Sequence, residues 1–495
     1  MIRFAKPLLP LLAVGGMLAG CATYPANEPM SRLDPQSGYR FDTLKADGNT
    51  ESLFVILTFS GGGTRAAALS FGVMEKLRDT TIYWKGKKRR LLDEVDVISS
   101  VSGGSFTAAY YGLFRDRLFA EKDGFKDRFL YRDIEGELVA RLLNPVNWLK
   151  LASSTYGRIE LASEFYDREI FEDNTFADMA ENGRPFILIN ATDMSKGAPF
   201  TFIQSQFDLL CSDLTPFKVA RAVAASSNFP VAFTPLQVNN YADHCVYEKP
   251  IWIRMAEKDQ ELSSIGPRVS RARVAWSYRN VTERKYIHLL DGGVADNIGL
   301  RGPLTALLST DSPWSLLTRV NSSRTEKIVV IVVDAKSRPD NRYERDPSPP
   351  GLFTILDAIA TIPMNNLSSD IVRRHVPEFV QWRKDRRNLW SDRRNTFKYC
   401  PPPPDNPNPA GLRPLDLYAI YVGFEQIAAD QEYFGHDRDW YLTRKTSFVL
   451  PQGHLRFDDD IAKISRLFRR HIRQALGEAV ERDHRSAKGR LLGPH

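Results

Sequence analysis

The sequence predicts an α/β fold with a mainly parallel central sheet, and two similar segments near the beginning of the chain support this. In the first, the apolar run SLFVILTFS (52–60) is followed by GGGTRAAALSFGVMEKLRD (61–79), three glycines and then a stretch rich in helix-forming residues. In the second, LLDEVDVISS (91–100) precedes SFTAAYYGLF (105–114). A strand, a tight turn and a helix form the repeating unit of α/β proteins, and continuous apolar runs are typical of strands that are buried on both faces.

Two later apolar runs are predicted to be further strands, namely KIVVIVVDA (327–335) and LDLYAIYVGFEQI (415–427). The stretches SRPDNRYERDPSPPG (337–351) and CPPPPDNPNPAG (400–411) are rich in proline and are expected to be extended loops. They frame a helical segment near 352–374, which is interpreted as a cap or as a decorated loop, with a slight preference for the cap. The charged run KGKKRR (85–90) is expected to be a solvated loop.

Composition and charge narrow the class of protein. With 495 residues, of which 43% are hydrophobic, the chain has ample material for a folded core. The net charge of +7 is a mild excess. No run of Lys and Arg is interleaved with aromatic residues as a nucleic-acid groove requires, so we expect no nucleic-acid partner. An anionic membrane surface fits the charge at least as well.

The first twenty-one residues have the features of a bacterial export signal. Arg3 and Lys6 precede the apolar stretch PLLPLLAVGGMLA, which is too short to span a bilayer and ends in LAGC (18–21). This ending resembles the lipobox of bacterial lipoproteins, which implies cleavage before Cys21 and acylation of that residue. Because Ala follows Cys21, the resemblance also implies sorting to the outer membrane, where acyl chains would hold the protein facing the periplasm or the cell surface. An ordinary signal peptide or a short membrane anchor is the alternative.

These features divide the chain into five parts. They are a lipoprotein signal peptide (1–20), a lipidated tether (21–50), a core domain (51–336), a proline-rich insertion or cap (337–414) and a C-terminal strand and helical region that completes the core (415–495). Over 460–481, apolar residues recur at helical spacing and most basic residues lie off that stripe. A helix docked on the core is the expected structure there, with membrane contact as the alternative.

Export also determines how the cysteines are interpreted. With Cys21 used by lipid, Cys211, Cys245 and Cys400 remain, and two of the three can pair in an oxidising compartment. Cys211 and Cys245 are nearest in sequence, so we expect a disulfide between them. Their spacing fits no zinc site, and no acidic or His/Cys cluster elsewhere has ligand spacing, so no metal ion is implied.

The segment DVISSVSGGSF (96–106) contains a candidate nucleophile at a strand-to-helix turn. A nucleophile on such a tight turn needs small residues two positions before and two positions after it, because the chain folds back on itself. Only Ser102 meets this condition, with Ser100 before it and Gly104 after it. Ser99 and Ser100 belong to the predicted strand, and Ser105 lies at the beginning of the predicted helix.

Two further segments could complete a site with Ser102. The glycines at 61–63 end one predicted strand and precede a helix, so their backbone amides can face developing negative charge. In KYIHLLDGGVADN (285–297), a predicted strand ends at Asp291, which is followed by Gly292 and Gly293. The carboxylate of Asp291 could take the proton of Ser102 directly. Each segment by itself is also compatible with a plain turn.

Together these motifs resemble those of the patatin-like phospholipases, and in particular of the bacterial lipoprotein-anchored kind. The matching motifs are GGGTR (61–65), SVSGG (100–104) and DGG (291–293), and the stretches INATDMSKGAPFTF (189–202) and AVAASSNFPVAFTPL (222–236) are similar as well. Two positions depart from the family pattern, because Ser60 stands where many members have Asp and Ser100 replaces a glycine. The resemblance implies a three-layer α/β/α hydrolase fold.

The resemblance also implies a mechanism and a substrate class. Ser102 would attack an acyl ester of a membrane phospholipid or other lipid with Asp291 as base, and amides of the segment Gly61, Gly62 and Gly63, together with that of Gly103, would stabilise the oxyanion. Arg65 would either pack inside the protein or attract a lipid phosphate. No cofactor is implied. We therefore expect a phospholipase A, lysophospholipase or esterase.

Three alternatives remain open at this level. A Ser-His-Asp triad would need a histidine, and His288, the nearest in sequence, should point away from Ser102 because strand residues 288 and 291 lie on opposite faces. An acyltransferase would use the same acyl-enzyme with an alcohol or lysolipid as acceptor. A lipid-binding envelope lipoprotein could keep the fold without turnover.

Overall fold

The computed structural model describes residues 24–46, 48–230, 232–262, 267–308, 325–336, 347–351 and 416–424, together with parts of 355–371. The predicted signal peptide, Cys21, Cys400 and the helix predicted over 460–481 lie outside these residues. Most of the segment 337–414 also lies outside them.

The strand–turn–helix order that the sequence predicts is present twice near the beginning of the core, at 53–78 and at 95–114. The strands are β1 (Glu28–Pro29), β2 (Leu53–Phe59), β3 (Thr81–Trp84), β4 (Lys87–Arg90), β5 (Val95–Val101), β6 (Phe186–Asp193), β7 (Ala198–Thr201), β8 (Ser212–Asp213), β9 (Leu236–Asn239), β10 (Tyr286–Asp291), β11 (Lys327–Asp334) and β12 (Asp416–Gly423). The α-helices are α1 (Gly63–Arg78), α2 (Gly103–Phe114), α3 (Ile134–Leu143), α4 (Pro145–Leu151), α5 (Arg158–Tyr166), α6 (Phe176–Glu181), α7 (Gln204–Asp208), α8 (Val219–Ser226), α9 (Ile251–Leu262), α10 (Pro267–Ser277), α11 (Gly293–Asp296) and α12 (Arg301–Leu308).

The core is built on a mixed, mostly parallel sheet with the strand order β12-β11-β2-β5-β6-β10-β9, and β7 pairs with β6. The neighbouring pairs from β12 to β6 are parallel, whereas β10 is antiparallel to both β6 and β9. Every residue of β2 and of β5 is buried, which requires cover on both faces and explains why these strands consist mostly of apolar and small residues. Asp96 of β5 is the exception, and its carboxylate accepts the amide N–H of Val55 at 2.9 Å and a hydrogen bond from Arg184 at 3.1 Å. Flanking helices give the three-layer α/β/α arrangement that the sequence predicts.

The segment predicted as a tether is packed on the domain over the part that the structure describes. β1 pairs with β8, and the side chain of Asn27 bonds both Ser212 Oγ, at 2.8 Å, and the amide of Asn239, at 2.7 Å. Tyr39 is fully buried, and its hydroxyl accepts a hydrogen bond from the amide of Ile187 at 2.8 Å. A stretch rich in proline and polar residues thus gains order from side-chain hydrogen bonds to distant parts of the chain, which its local composition does not reveal.

The charged run at 85–90 also differs from its prediction. Instead of a loop, Lys87–Arg90 forms β4, which pairs with β3 as an antiparallel hairpin separate from the main sheet. Lys87 and Lys88 are exposed, as expected for charged residues on an edge strand.

Among the described helices, none is both long and apolar enough to cross a membrane.

Candidate active site

Ser102 occupies a sharp turn between β5 and α2. Its backbone angles are φ 49° and ψ −122°, a conformation that a residue with a side chain adopts only under strain. The turn is tightly packed, because a Cβ at Gly104 would lie 2.7 Å from Cβ of Phe59. Ser100 stands where the motif of the patatin-like phospholipases has glycine. Its hydroxyl is accommodated in the interior because it donates a hydrogen bond to the carbonyl of Leu188 at 3.1 Å. The turn therefore presents the hydroxyl of Ser102 at the end of the strand.

The hydroxyl of Ser102 donates a hydrogen bond of 2.8 Å to Oδ2 of Asp291. The other carboxylate oxygen, Oδ1, accepts the amide N–H of Gly293, also at 2.8 Å. Asp291 is only 2% exposed. These two hydrogen bonds fix the orientation of the carboxylate, with Oδ2 towards the serine.

The register of β6 explains why two residues so far apart in sequence meet. Along β6, Asn190 is paired with Val101, the residue before Ser102, and the next residue, Ala191, is paired with Asp291. β5 runs parallel to β6 and β10 runs antiparallel to it, so both strands end at adjacent positions of β6. Ser102 and the carboxylate of Asp291 are therefore positioned by backbone pairing with one strand.

Burial and hydrogen bonding act on Asp291 in opposite directions. Burial disfavours the charged carboxylate and raises the pKa of Asp291 to about 6, while the hydrogen bonds from Gly293 and Ser102 partly offset this rise in pKa. A carboxylate with a raised pKa is a stronger base than an ordinary aspartate, yet it remains mostly ionised at neutral pH. The electrostatics thus suit proton transfer from Ser102.

The glycine segment 61–63 lies beside Ser102, but not all of its three backbone amides are available to bind an oxyanion. The amide of Gly61 donates to the carbonyl of Asn297 at 2.9 Å, so this N–H is not available to an oxyanion. Gly62 has φ 135°, which favours glycine, and Gly63 begins α1. Within the described part of the chain, the amides of Gly62, Gly63 and Gly103 have no protein acceptor. The predicted oxyanion amides are thereby reduced from four to these three.

A model of the patatin-like phospholipase family matches residues 57–304, which include Ser102, Asp291 and the glycine segment. The chain belongs to this family. Membership supports lipid acyl hydrolase activity in general terms.

A search of solved structures finds the human GIVD cytosolic phospholipase A2, with 10% sequence identity and a TM-score of 0.27. The match covers 72% of this chain and 53% of that chain, so this chain matches only about half the length of that phospholipase. No curated protein matches the chain.

Ser226, which no sequence motif singled out, supports the turn at Ser102 in this patatin-like domain. Its hydroxyl accepts the amide N–H of Ser102 at 2.9 Å and donates to the carbonyl of Asn190 at 2.6 Å. Ser105 Oγ lies 2.9 Å from the same hydroxyl. The only signal in the sequence was the resemblance of the segment 222–236, which does not indicate what Ser226 contacts.

Two further residues border the site without having been predicted. Asn297 accepts the amide of Gly61 through its backbone, and its side-chain Oδ1 would lie 2.7 Å from a Cβ at Gly293. The terminal methyl carbon of Met364, which belongs to the segment interpreted as a cap, would lie 2.2 Å from the same Cβ at Gly293. A side chain at Gly293 would thus require Met364 and Asn297 to move, and the 337–414 segment contributes at least one side chain next to Gly293.

Arg65 of the patatin-like domain is enclosed in the interior. Its side chain is 3% exposed, and burial lowers its pKa to about 10 despite the opposing effect of nearby Asp334. Its guanidinium lies beneath the glycine segment, with Nη2 3.4 Å from the position of a Cβ at Gly62. Of the two roles expected for Arg65, this position favours packing over attraction of a lipid phosphate.

Only His244 and His288 of the eight histidines lie in the described residues. His288 is half-buried and alternates with the fully buried Leu289 and with Asp291 along β10, which places it on the face opposite the carboxylate. Between these two histidines and Ser102, no hydrogen bond is present.

The two cysteines predicted to pair are joined in the structure. A disulfide links Cys211 and Cys245, with 5.6 Å between their Cα atoms. It closes the loop that contains Ser226 and β9.

Within the described residues, no group of three or more His, Cys, Asp or Glu side chains could hold a metal ion.

Proposed function

We propose that this protein is a serine lipid acyl hydrolase of the phospholipase A, lysophospholipase or esterase type, in which Ser102 is the nucleophile and Asp291 the general base. The observation that carries the proposal is the 2.8 Å hydrogen bond from Ser102 Oγ to Asp291 Oδ2. The strained turn at Ser102 and the raised pKa of Asp291 support the same assignment.

The first half of the reaction forms an acyl-enzyme. Ser102 Oγ attacks the ester carbonyl carbon as its proton passes to Asp291 Oδ2, and the carbonyl oxygen becomes an oxyanion. The amides of Gly62, Gly63 and Gly103 stabilise that charge, assisted by the N-terminal ends of α1 and α2. The intermediate then collapses, the bond to the leaving alcohol breaks, and the alcohol takes the proton from Asp291.

The second half returns the enzyme to its starting state. Asp291 accepts a proton from water as the water oxygen attacks the acyl carbonyl carbon, and the same three amides stabilise the second oxyanion. Collapse breaks the bond to Ser102 Oγ, which recovers the proton from Asp291, and the fatty acid leaves. Because one carboxylate serves both halves, the mechanism needs no histidine.

An active-site label and product analysis test this proposal together. A fluorophosphonate should label the wild-type protein at Ser102, as mapped by peptide mass spectrometry, and should leave Ser102→Ala unlabelled. Label on Ser99, Ser100 or Ser105 would contradict the assignment. With defined phospholipids, a hydrolase releases free fatty acid, whereas an acyltransferase transfers the acyl group to an added lysolipid, and a binding protein produces neither change.

We also propose that acylated Cys21 anchors the protein in the outer membrane of a bacterium. The sequence LAGC after a short apolar stretch supports this. Cys21→Ser should abolish acylation, measured by mass spectrometry of the N-terminal peptide, and remove the protein from the outer-membrane fraction. An unacylated wild-type peptide would refute the anchor.

A further inference from the structure

The helical hairpin formed by α3 and α4 exposes an unusual amount of apolar side chain. Neither helix contains a buried residue, and only Ile134 and Leu138 of α3 pack against the core. Around the turn between them, Leu143 is 66% exposed, Val146 71% and Trp148 56%, and Leu142 and Leu149 are exposed as well. Large apolar residues that cluster on the surface mark a site of contact with another apolar phase.

Three side chains at the turn of this hairpin form hydrogen bonds within it. The indole N–H of Trp148 donates to the carbonyl of Leu142 at 3.0 Å, so the exposed part of the ring is apolar. Asn144 accepts the amide of Val146 at 3.1 Å, and the side chain of Asn147 donates to the carbonyl of Arg141 at 2.8 Å. The side chains of Asn144, Asn147 and Trp148 thus form hydrogen bonds within the hairpin, which lowers the cost of moving them out of water.

The first described residue after the proposed lipid anchor is bonded to the segment that follows this hairpin. The amide of Tyr24 donates to the carbonyl of Thr155, four residues after the end of α4, at 3.2 Å. Cys21 precedes Tyr24 by three residues, a length of chain that spans at most about 11 Å. Acyl chains on Cys21 would therefore enter a bilayer close to the exposed side chains of the hairpin.

The same end of the domain connects to the catalytic carboxylate. Shortly after the hairpin, the amide of Ile159 donates to the hydroxyl of Thr234 at 3.4 Å. The carbonyl of Thr234 accepts the side chain of Asn228 at 2.7 Å, and the carbonyl of Asn228 accepts the amide of Asp291 at 2.9 Å. Few contacts separate the hairpin from the segment that supports Asp291.

We propose that the α3–α4 hairpin is a second membrane contact, which inserts Leu143, Val146 and Trp148 into the interfacial region of the bilayer next to the acyl anchor. Short helices with apolar residues and Trp on one surface bind in this way. This inference rests on the proposed action on membrane lipids and on the proposed anchor. Anchor and hairpin together would orient the domain so that lipid reaches Ser102 from one side.

Fluorescence quenching tests the contact without relying on activity. Full-length Ser102→Ala protein is mixed with vesicles of phosphatidylethanolamine and phosphatidylglycerol whose acyl chains are brominated, which quenches a Trp that enters the interface. We expect quenching, and we expect the added change Trp148→Phe to remove most of it. Trp252→Phe, at a half-buried Trp in α9, is the matched control and should leave the quenching unchanged. Quenching that survives Trp148→Phe overturns the proposal.

Hydrolysis provides the second readout. Leu143→Asp combined with Trp148→Asp should lower the rate on vesicle phospholipid about tenfold, the effect of losing roughly 1.4 kcal/mol of interfacial contact, without altering the rate on a soluble short-chain ester. Ile251→Asp, another exposed apolar residue, is the control. Equal vesicle rates in wild type and double variant would refute the contact.

If neither substrate is hydrolysed by the wild type, the proposed function fails, and the quenching result still decides the contact. Self-association through this hairpin, seen as a dimer that the double variant abolishes, would also overturn it.

Discussion

The carbonyl group of Gly63 lies directly against the Cα of Gly103. A Cβ built on Gly103 would be 2.0 Å from the carbonyl oxygen of Gly63 and 2.6 Å from its carbonyl carbon. The glycine segment after β2 and the turn at Ser102 after β5 thus touch backbone to backbone. This close approach brings the amides of Gly62 and Gly63 near that of Gly103, beside Ser102.

Gly103→Ala should therefore inactivate the enzyme, because the glycine segment must move away to make room for the methyl group. We expect a loss of about 100- to 1000-fold in kcat on a soluble ester, the effect of losing one oxyanion donor. Stability should fall by about 1–3 kcal/mol, the usual cost of overpacking. Gly302→Ala is the control, since no heavy atom lies within 4 Å of its Cβ position, and this variant should keep full activity. An active Gly103→Ala enzyme would refute the role of this contact.

Asp291→Asn should lower kcat by about 100- to 10,000-fold, because the amide cannot accept the proton of Ser102. His288→Ala should change kcat little, since that side chain lies on the other face of β10. Rates on a soluble short-chain ester, with circular dichroism to verify folding, provide the measurement. A histidine triad predicts the opposite contrast, with some histidine variant as damaging as Ser102→Ala.

The rate should depend on pH through Asp291. Because burial raises the pKa of this carboxyl to about 6, it is protonated at lower pH and cannot act as base. We expect kcat/KM on a soluble ester to rise about tenfold per pH unit below this pKa and to level off above it. A rate that is constant between about pH 4.5 and 8 would argue against Asp291 as the base.

The same raised pKa affects stability in a definite direction. Asp291 binds a proton more tightly in the folded chain than in the unfolded one, where its pKa is near 3.8. Its contribution to the free energy of unfolding is thus fully present below that pH and is lost as the pH rises through about 6. An asparagine at this position does not ionise, so Asp291→Asn lacks this pH-dependent loss. As the pH rises from acid to neutral, its free energy of unfolding should therefore increase by up to about 3 kcal/mol relative to that of wild type. Parallel stability curves from urea unfolding would contradict this.

Ser226→Ala should damage both stability and rate, because it leaves the amide of Ser102 and the carbonyl of Asn190 without their partner. A buried group left unpaired costs about 1–3 kcal/mol. Within the described residues, the hydroxyl of the neighbouring Ser227 donates only to the carbonyls of Val223 and Ala224 in α8, and Ser227→Ala is the matched control. Thermal unfolding and kcat should separate the two variants, and equal values would show that Ser226 does not support the turn.

The disulfide can be tested in exported protein. A non-reduced peptide map should contain a linked peptide pair with Cys211 and Cys245. Replacing both by serine should lower stability by about 3–4 kcal/mol, as loop-closure entropy predicts for a loop of this length. A map in which both thiols are free would refute the pairing.

The local features of the site could be predicted from the sequence alone. A strand that is buried on both faces is mostly apolar, and a sharp turn admits only small residues, so β2, β5 and the turn at Ser102 can be recognised from neighbouring residues. The end of β10 at Asp291 and the glycine segment are local signals of the same kind. Mainly parallel pairing follows from the repeated strand–turn–helix order.

The contacts between these features were determined by tertiary structure. Ser102 meets Asp291 because β5 and β10 end at adjacent residues of β6, a register that no local pattern encodes. The same holds for the bond from Ser102 to Ser226, for Met364 beside Gly293, and for the packing of residues 24–46, which were expected to be a tether. The physical reason is common to all of them. Turn and strand preferences depend on a few adjacent residues, whereas these pairings depend on which distant surfaces meet when the chain folds.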